Sequence, residues 1–306
     1  MPRPTSKTGK RNPPQPLPPD VVSPVWLVKA IALTILAALI CGYLTFCWLF
    51  YQGQWQLVLH PTRTSANPTS ISGISYEPIR FSPDESANPQ LSGWWIPSDP
   101  GGRYAALTIL FLPDGNGSLA NSIPLLASLH NLGINVFAFD YRGYGQSAPA
   151  RPSQRSMTRD TDSAWQYLTA TRAISAQRIV PYGTGVGTSL ATRLAADHNT
   201  IPAVILDTPR ADLLDVAMRD PRTRLLPVRL LFHERSPLAE PLTNLRTPKL
   251  LLSRSTSPDQ TFLHAADPKF TVEFASPSEA LYNQSLTRFL DQYVAQAPVP
   301  SPAPVH

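Results

Sequence analysis

From Ala30 to Tyr51 the chain reads AIALTILAALICGYLTFCWLFY, a run with no charged residue. An α-helix needs about 20 apolar residues to cross a hydrocarbon core, and a core helix of that length in a soluble domain would carry a polar stripe, which this run lacks. A cleaved export signal has a shorter apolar stretch that ends in small residues. This run instead closes on Trp48, Phe50 and Tyr51, with Trp55 just beyond, and such amphipathic aromatics favour a membrane interface. We therefore expect an uncleaved single-pass anchor over residues 29–52, in contact with membrane lipid. Ahead of it stand Arg3, Lys7, Lys10, Arg11 and Lys29 against one acid, Asp20, whereas the first strong positive charge after it is Arg63. That asymmetry predicts a cytoplasmic amino end and an extracytoplasmic domain, as for a bacterial-type inner-membrane protein.

An anchor leaves the rest of the chain to be sorted into domain and arms. Proline is over-used, with 34 residues, and it gathers at both ends, from Pro13 to Pro19 and from Pro298 to Pro304. Proline-dense tails form neither helix nor central strand, so residues 1–28 and 296–306 are expected to be disordered arms. Residues 60–295 are expected to form one domain. Both cysteines, Cys41 and Cys47, lie in the anchor, which leaves the domain no thiol for a disulfide, a metal or nucleophilic chemistry. Metal-ligand spacings are missing as well, and no cofactor is expected. The net charge of +5 is modest and is concentrated in the front arm, so it does not call for nucleic acid.

Within the domain, short apolar runs alternate with longer amphipathic stretches. This is the pattern of a mostly parallel sheet wound on both faces by helices, an α/β class. Seven strands are expected, at Leu91–Ile96, Ala105–Leu112, Asn135–Asp140, Arg178–Tyr182, Ala203–Asp207, Lys249–Ser253 and Phe270–Phe274. Helices fit Ser118–Leu132, Met157–Thr171, Gly187–Asp197 and Ala280–Val294.

Several segments, in order and spacing, carry a family signature. Phe139-Asp140-Tyr141-Arg142-Gly143-Tyr144-Gly145-Gln146-Ser147 resembles the D-Y-R-G-Y-G-x-S turn of the α/β-hydrolase superfamily, especially its membrane-anchored, serine-aminopeptidase-like branch of esterases, thioesterases and peptidases. In that family the turn shapes the site and breaks no bond, so Ser147 is not expected to be a nucleophile. Upstream, Phe111-Leu112-Pro113-Asp114-Gly115-Asn116-Gly117-Ser118 is similar to the strand end and H-G-N-x-G loop that supplies an oxyanion-hole amide, with Asp114 where the family has histidine. The resemblance gives Asp114, Gly115 and Asn116, together with Val186 beyond the next motif, to the oxyanion loop. An ionised Asp114 would oppose a developing oxyanion there. Read without the family, the same string is a glycine-rich turn that caps the following helix.

Val180-Pro181-Tyr182-Gly183-Thr184-Gly185-Val186-Gly187-Thr188-Ser189 falls where the family places G-x-S-x-G. Gly183 and Gly187 match the flanking glycines, and Gly185 stands at the nucleophile position. A hydrolase holds its nucleophile there in strained left-handed geometry at a cost of about 1 to 3 kcal/mol, and glycine removes that strain. The family order implies an acid after the next-to-last strand and a histidine after the last. Asp259 is the candidate acid, or else a surface-loop carboxylate. The stretch from Phe274 to Tyr282 contains no histidine, while His264 precedes the last strand. Thr184, Thr188 and Ser189 are the available substitute nucleophiles, with Thr188 and Ser189 expected inside the helix.

Loss of serine and histidine together predicts a non-catalytic member that binds a small molecule or a protein at the old cleft, because triad members act as a unit. The alternative is an active membrane-bound esterase, thioesterase or peptidase. Arg210 to Arg235, where the fold often carries a lid, holds Arg210, Arg219, Arg222, Arg224, Arg229 and Arg235 around Leu225-Leu226 and Leu230-Leu231. It reads as a solvated helical face, or as a basic amphipathic element for anionic lipid or an acidic partner.

Overall fold

Ser23 starts the first helix, with its hydroxyl taking the Trp26 N–H at 3.2 Å and proline following at the first helical position. Helix α1 then runs Pro24–Gly53, so residues 24–28, expected in the disordered arm, are helical. The computed structural model describes residues 23–82, 88, 90–210, 212–253, 260–273 and 279–294. Two compact units divide the chain, residues 1–49 and 50–306. In the first unit, Leu27, Ile31, Leu36, Leu39 and Leu44 are all more than half exposed, and α1 is long and apolar enough to cross a membrane.

The second unit holds, in order, β1 (His60–Pro61), β2 (Glu77–Phe81), β3 (Leu91–Ile96), β4 (Tyr104–Leu112), β5 (Asn116–Gly117), α2 (Ile123–Asn131), β6 (Ile134–Asp140) and α3 (Gln154–Gln166). There follow β7 (Ile179–Gly185), α4 (Gly187–Asp197), β8 (Val204–Pro209), α5 (Leu213–Arg219), α6 (Val228–Leu231), α7 (Ala239–Asn244), β9 (Lys249–Ser253), α8 (Gln260–Leu263), β10 (Lys269–Glu273) and α9 (Glu279–Tyr293). The main sheet has the order β10-β9-β8-β7-β4-β6-β3-β2, parallel from β10 through β6 and antiparallel at β3 and β2.

The main sheet therefore contains eight strands among the described residues, one more than expected. The extra strand, β2, buries only Ile79 and Phe81 and includes Pro78, which an edge strand tolerates because it need not donate to a further neighbour. The stretch expected as a helix from Ser118 is split, with a 3-10 turn over Leu119–Ser122 before α2. The end of the expected strand at Phe274 lies outside the described residues.

Alternation along β4 explains the layering. Leu110 and Leu112 face one core with Met157, Ala164 and Leu168 from the α3 region and Leu190 and Leu194 of α4. Ile109 and Phe111 face the other with Leu126 and Leu129 of α2 and Leu286, Phe289 and Leu290 of α9. Strands buried on both faces read as continuous apolar runs, as in a doubly wound sheet. From β4 the chain steps outward to β6, then returns past β4 to β7 and continues the opposite way. Such a reversal opens a crevice at the carboxyl ends of β4 and β7.

The signature turn after β6 is structural. Asp140 accepts the Leu119 N–H at 2.7 Å, and burial pushes its carboxyl up to about 6. Ser147, fully buried, donates to the Asp140 carbonyl and accepts the Ser92 N–H at 2.9 Å, which ties the turn to β3. Its hydroxyl has no access to a substrate.

Candidate functional site

β7 ends in a tight turn into α4, and three glycines make the turn fit. A Cβ on Gly183 would overlap the Gly187 carbonyl, and one on Gly187 would overlap the Leu112 carbonyl, so strand and helix approach more closely than side chains permit. Gly185, between them, has φ +52, a conformation that L-residues adopt only with strain. Sequence and structure thus agree on a sharp strand-to-helix elbow centred on Gly185.

The space above that elbow is filled by the chain itself. An ideal Cβ on Gly185 would overlap Oδ1 and Cγ of Asp114, whose Cβ lies 3.0 Å away. The Val186 N–H, the first amide past the elbow, donates to Asp114 Oδ1 at 3.3 Å. Asn116 Nδ2 donates to Asp114 Oδ2 at 2.9 Å. Arg210 Nη2 stands 3.9 Å from Oδ2, a loose ion pair, while its Nη1 donates to the Val58 carbonyl at 2.9 Å. The carboxylate is held by an amide, a side-chain amide and a guanidinium, and it remains 38% exposed.

The loop that carries Asp114 is fixed from below. Tyr141 donates to the Pro113 carbonyl at 3.3 Å and Tyr144 to the Gly115 carbonyl at 2.9 Å. Burial first, then the neighbouring Asp114 charge, pushes the Tyr144 phenol well above its ordinary range, so it stays a donor. Past Gly115 the loop becomes β5, which pairs in parallel with β1, His60 opposite Asn116 and Pro61 opposite Gly117. Asn116 Oδ1 lies 3.0 Å from His60 Nδ1. A carbonyl oxygen can only accept, which assigns the proton to that nitrogen. A polar chain therefore runs from His60 through Asn116 to Asp114 and ends on the elbow.

β8 closes the far side. Asp207 is buried and accepts from Tyr182 at 2.8 Å and from Thr208 at 2.7 Å. Thr208 has φ +48, unusual for a β-branched residue. Pro209 pairs with Gly185 across a register shift, and the Arg210 N–H reaches the Gly185 carbonyl at 3.4 Å. Asp114, Thr184, Gly185, Asp207, Thr208, Pro209 and Arg210 line a shallow cavity of about 490 Å³ open to solvent.

Of the residues singled out from sequence, the fold brings together Gly185, Val186, Asp114, Gly115 and Asn116. Asp259 lies outside the described residues, as does the loop before α9. Thr188 donates to the Gly185 carbonyl at 2.6 Å and Ser189 to the Val186 carbonyl at 2.9 Å, so both hydroxyls face the turn's own backbone. Thr184 lines the cavity, but among the described residues no histidine does; His264 sits on an exposed turn after α8. Sequence reasoning missed His60, Asp207 and Thr208 at the site and had placed Arg210 only in the lid. The one local signal was Thr208-Pro209-Arg210 directly after an apolar strand run, where a conformational break is expected.

Among curated proteins, the chain is 29% identical over 252 residues to the "uncharacterized protein MT2364" of Mycobacterium tuberculosis, covering 79% of this chain and 85% of that one. It is 34% identical over 124 residues to alpha/beta hydrolase domain-containing protein 17C of Mus musculus, covering 40% of this chain and 37% of that one. Its fold is similar to that of the Pyrococcus furiosus esterase Pf2001, with TM-score 0.59 at 19% identity over 78% of this chain and 98% of that chain. The model of the alpha/beta hydrolase fold matches residues 108–299, more than half of the 306. With its sheet order, its elbow and this match, the chain belongs to the alpha/beta hydrolase fold family.

Proposed function

We propose that this is a membrane-anchored, non-catalytic member of the family, a pseudohydrolase that uses the cavity beside its elbow to bind a small molecule or a protein segment. Gly185 takes the nucleophile position, α1 is an uncleaved anchor, and the second unit lies outside the cytoplasm. One observation carries the reading: the Asp114 carboxylate fills the space that a nucleophile side chain on residue 185 would need, and it engages the Val186 amide that would otherwise receive an oxyanion. Acyl transfer needs both a nucleophile and an open oxyanion site, since removing one such donor alone costs about 10² to 10³ in turnover. A carboxylate in that site opposes both. The cavity, lined by Asp114, Thr184, Asp207, Thr208 and Arg210, remains open to a ligand.

An active esterase, thioesterase or peptidase is the competing reading. It is favoured by the hydrogen-bonded chain from His60 through Asn116 to Asp114, which links an imidazole to the carboxylate on the elbow. A serine-directed fluorophosphonate probe on the purified full chain separates the two. No labelling and no hydrolysis of a nitrophenyl ester are expected, and labelling at Thr184 or elsewhere in the cavity would overturn the non-catalytic reading. Gly185→Ser should likewise remain at the wild-type background, because a hydroxyl is a weak nucleophile without a base. Turnover well above that background would show that a competent base exists, with His60 the first to be replaced.

A further inference from the structure

Exposed apolar side chains outside α1 are few among the described residues, and three fall in one short stretch of sequence. Met218 at the end of α5, Leu225, and Leu230 on α6 are 38%, 79% and 82% exposed. α5 packs on α6, and Arg229 Nε reaches Met218 Sδ at 3.5 Å. Arg219, Arg222, Arg224 and Arg229 are exposed in the same stretch. The acids there are Asp212, half-buried and accepting the Leu214 N–H at 3.1 Å, Asp215, exposed, and Asp220, which is taken up by Arg222 at 2.6 Å; Glu234 is buried. Apolar tips among arginines are the composition of a surface that lies on anionic lipid.

The same segment is clasped to the residues that follow the apolar run. Gln54, fully buried, donates to the Leu231 carbonyl at 3.2 Å and accepts the His233 N–H at 2.8 Å. Its Nε2 also lies 2.8 Å from His233 Nδ1, and the His233 ring packs on Tyr51 with centroids 4.7 Å apart. Arg151 adds a bond to Gln52 Oε1 at 2.8 Å. Tyr51 closes the uncharged run, and Gln54 follows within one helical turn, about 5.4 Å of rise. The segment that bears Leu230 is thereby bonded, within one compact unit, to the residues that directly follow the uncharged run in the chain.

We propose that Met218–His233 forms a second membrane contact, in which Leu225 and Leu230 insert among anionic lipids and the arginines pair with headgroups. This rests on α1 being an uncleaved span. It confines the domain to the bilayer surface.

The test uses the full chain with Cys41→Ala and Cys47→Ala, carrying a nitroxide on Leu225→Cys, on Leu230→Cys, or on Thr200→Cys as a solvent control. Each protein is reconstituted in phosphatidylcholine vesicles with or without phosphatidylglycerol. Collision with oxygen, relative to collision with a water-soluble nickel complex, should be several-fold higher at 225 and 230 than at 200 when phosphatidylglycerol is present. That ratio should fall when Arg222, Arg224 and Arg229 are changed to glutamate. Labels at 225 and 230 as open to nickel as the label at 200 would overturn the lipid contact. Labels shielded from both agents would do so too, by showing a second copy or another protein over this face. A ratio indifferent to phosphatidylglycerol would overturn the preference for anionic lipid. Alkaline carbonate extraction keeps the two readings apart: release would overturn the anchor and the contact together, whereas retention with water-exposed labels would overturn the contact alone.

Discussion

Replacing Gly185 by alanine makes two separable demands on the elbow. The first is conformational, since an L-residue at φ +52 carries a left-handed penalty of about 1 to 2 kcal/mol, offset by about 0.4 to 1 kcal/mol because alanine also loses freedom in the unfolded chain. The net cost is about 1 kcal/mol. The second is steric and polar, because the new Cβ collides with the Asp114 carboxylate. Asp114 is 38% exposed and can swing toward water, so the collision is relieved by giving up the Val186 N–H bond at 3.3 Å and the Asn116 bond at 2.9 Å. Hydrogen bonds contribute about 0.5 to 1.5 kcal/mol each, and one of these is long and both are partly solvated, so the loss is about 1 kcal/mol together. Gly185→Ala should therefore cost about 2 kcal/mol in the parent chain and about 1 kcal/mol in an Asp114→Ala background, where the space is already free. Urea unfolding of the compact unit from Phe50 onward, followed by tryptophan fluorescence in all four proteins, measures this coupling. Equal costs in both backgrounds would show that the carboxylate does not sit on the elbow. A neutral or stabilising Gly185→Ala would show that the turn is not left-handed.

Other groups report on how the frame is held. Asp160 is buried and accepts from the Arg142 backbone and side chain, yet burial outweighs that partner and pushes its carboxyl up to about 6. The folded state then binds more protons than the unfolded between about pH 4 and 6, so stability should fall as pH rises through that window, and urea midpoints should show a shallower fall in Asp160→Asn. Lys249 is fully buried, its ammonium bonded to the carbonyls of Leu245, Ala266 and Pro268, and burial lowers it to about 8. Here the unfolded state holds the extra proton, so stability should rise with pH above about 8, and a Lys249→Met protein should lose that rise in the same titration. Ser147→Ala leaves the Ser92 N–H without its buried acceptor and should cost about 1 to 3 kcal/mol in urea unfolding with no change in fluorophosphonate labelling. A change in labelling would bring Ser147 back as a reactive group.

The amino-acid order alone determined the features that depend on neighbours in the chain. An uncharged apolar run is a membrane-length helix wherever it lies, and strands buried on both faces reveal themselves as unbroken runs such as Lys249–Ser253, which matches β9 residue for residue. The elbow was legible through its resemblance to the family's G-x-S-x-G turn, with Gly183 and Gly187 in the flanking places. Elements that lean on others were not. β2 mixes Glu77, Pro78 and Arg80 with two buried side chains, and only its place at the sheet edge makes it a strand. The site itself required the tertiary structure. Asp114 and Val186 are 72 positions apart, and His60 and Asn116 are 56 apart. They meet because the parallel register of β4 on β7, and of β1 on β5, sets loop ends side by side at the crevice. From sequence, Asp114 was a charge near an oxyanion. Whether it stood off or lay against Gly185 depended on where the strand ends fall in space, and no local pattern encodes that.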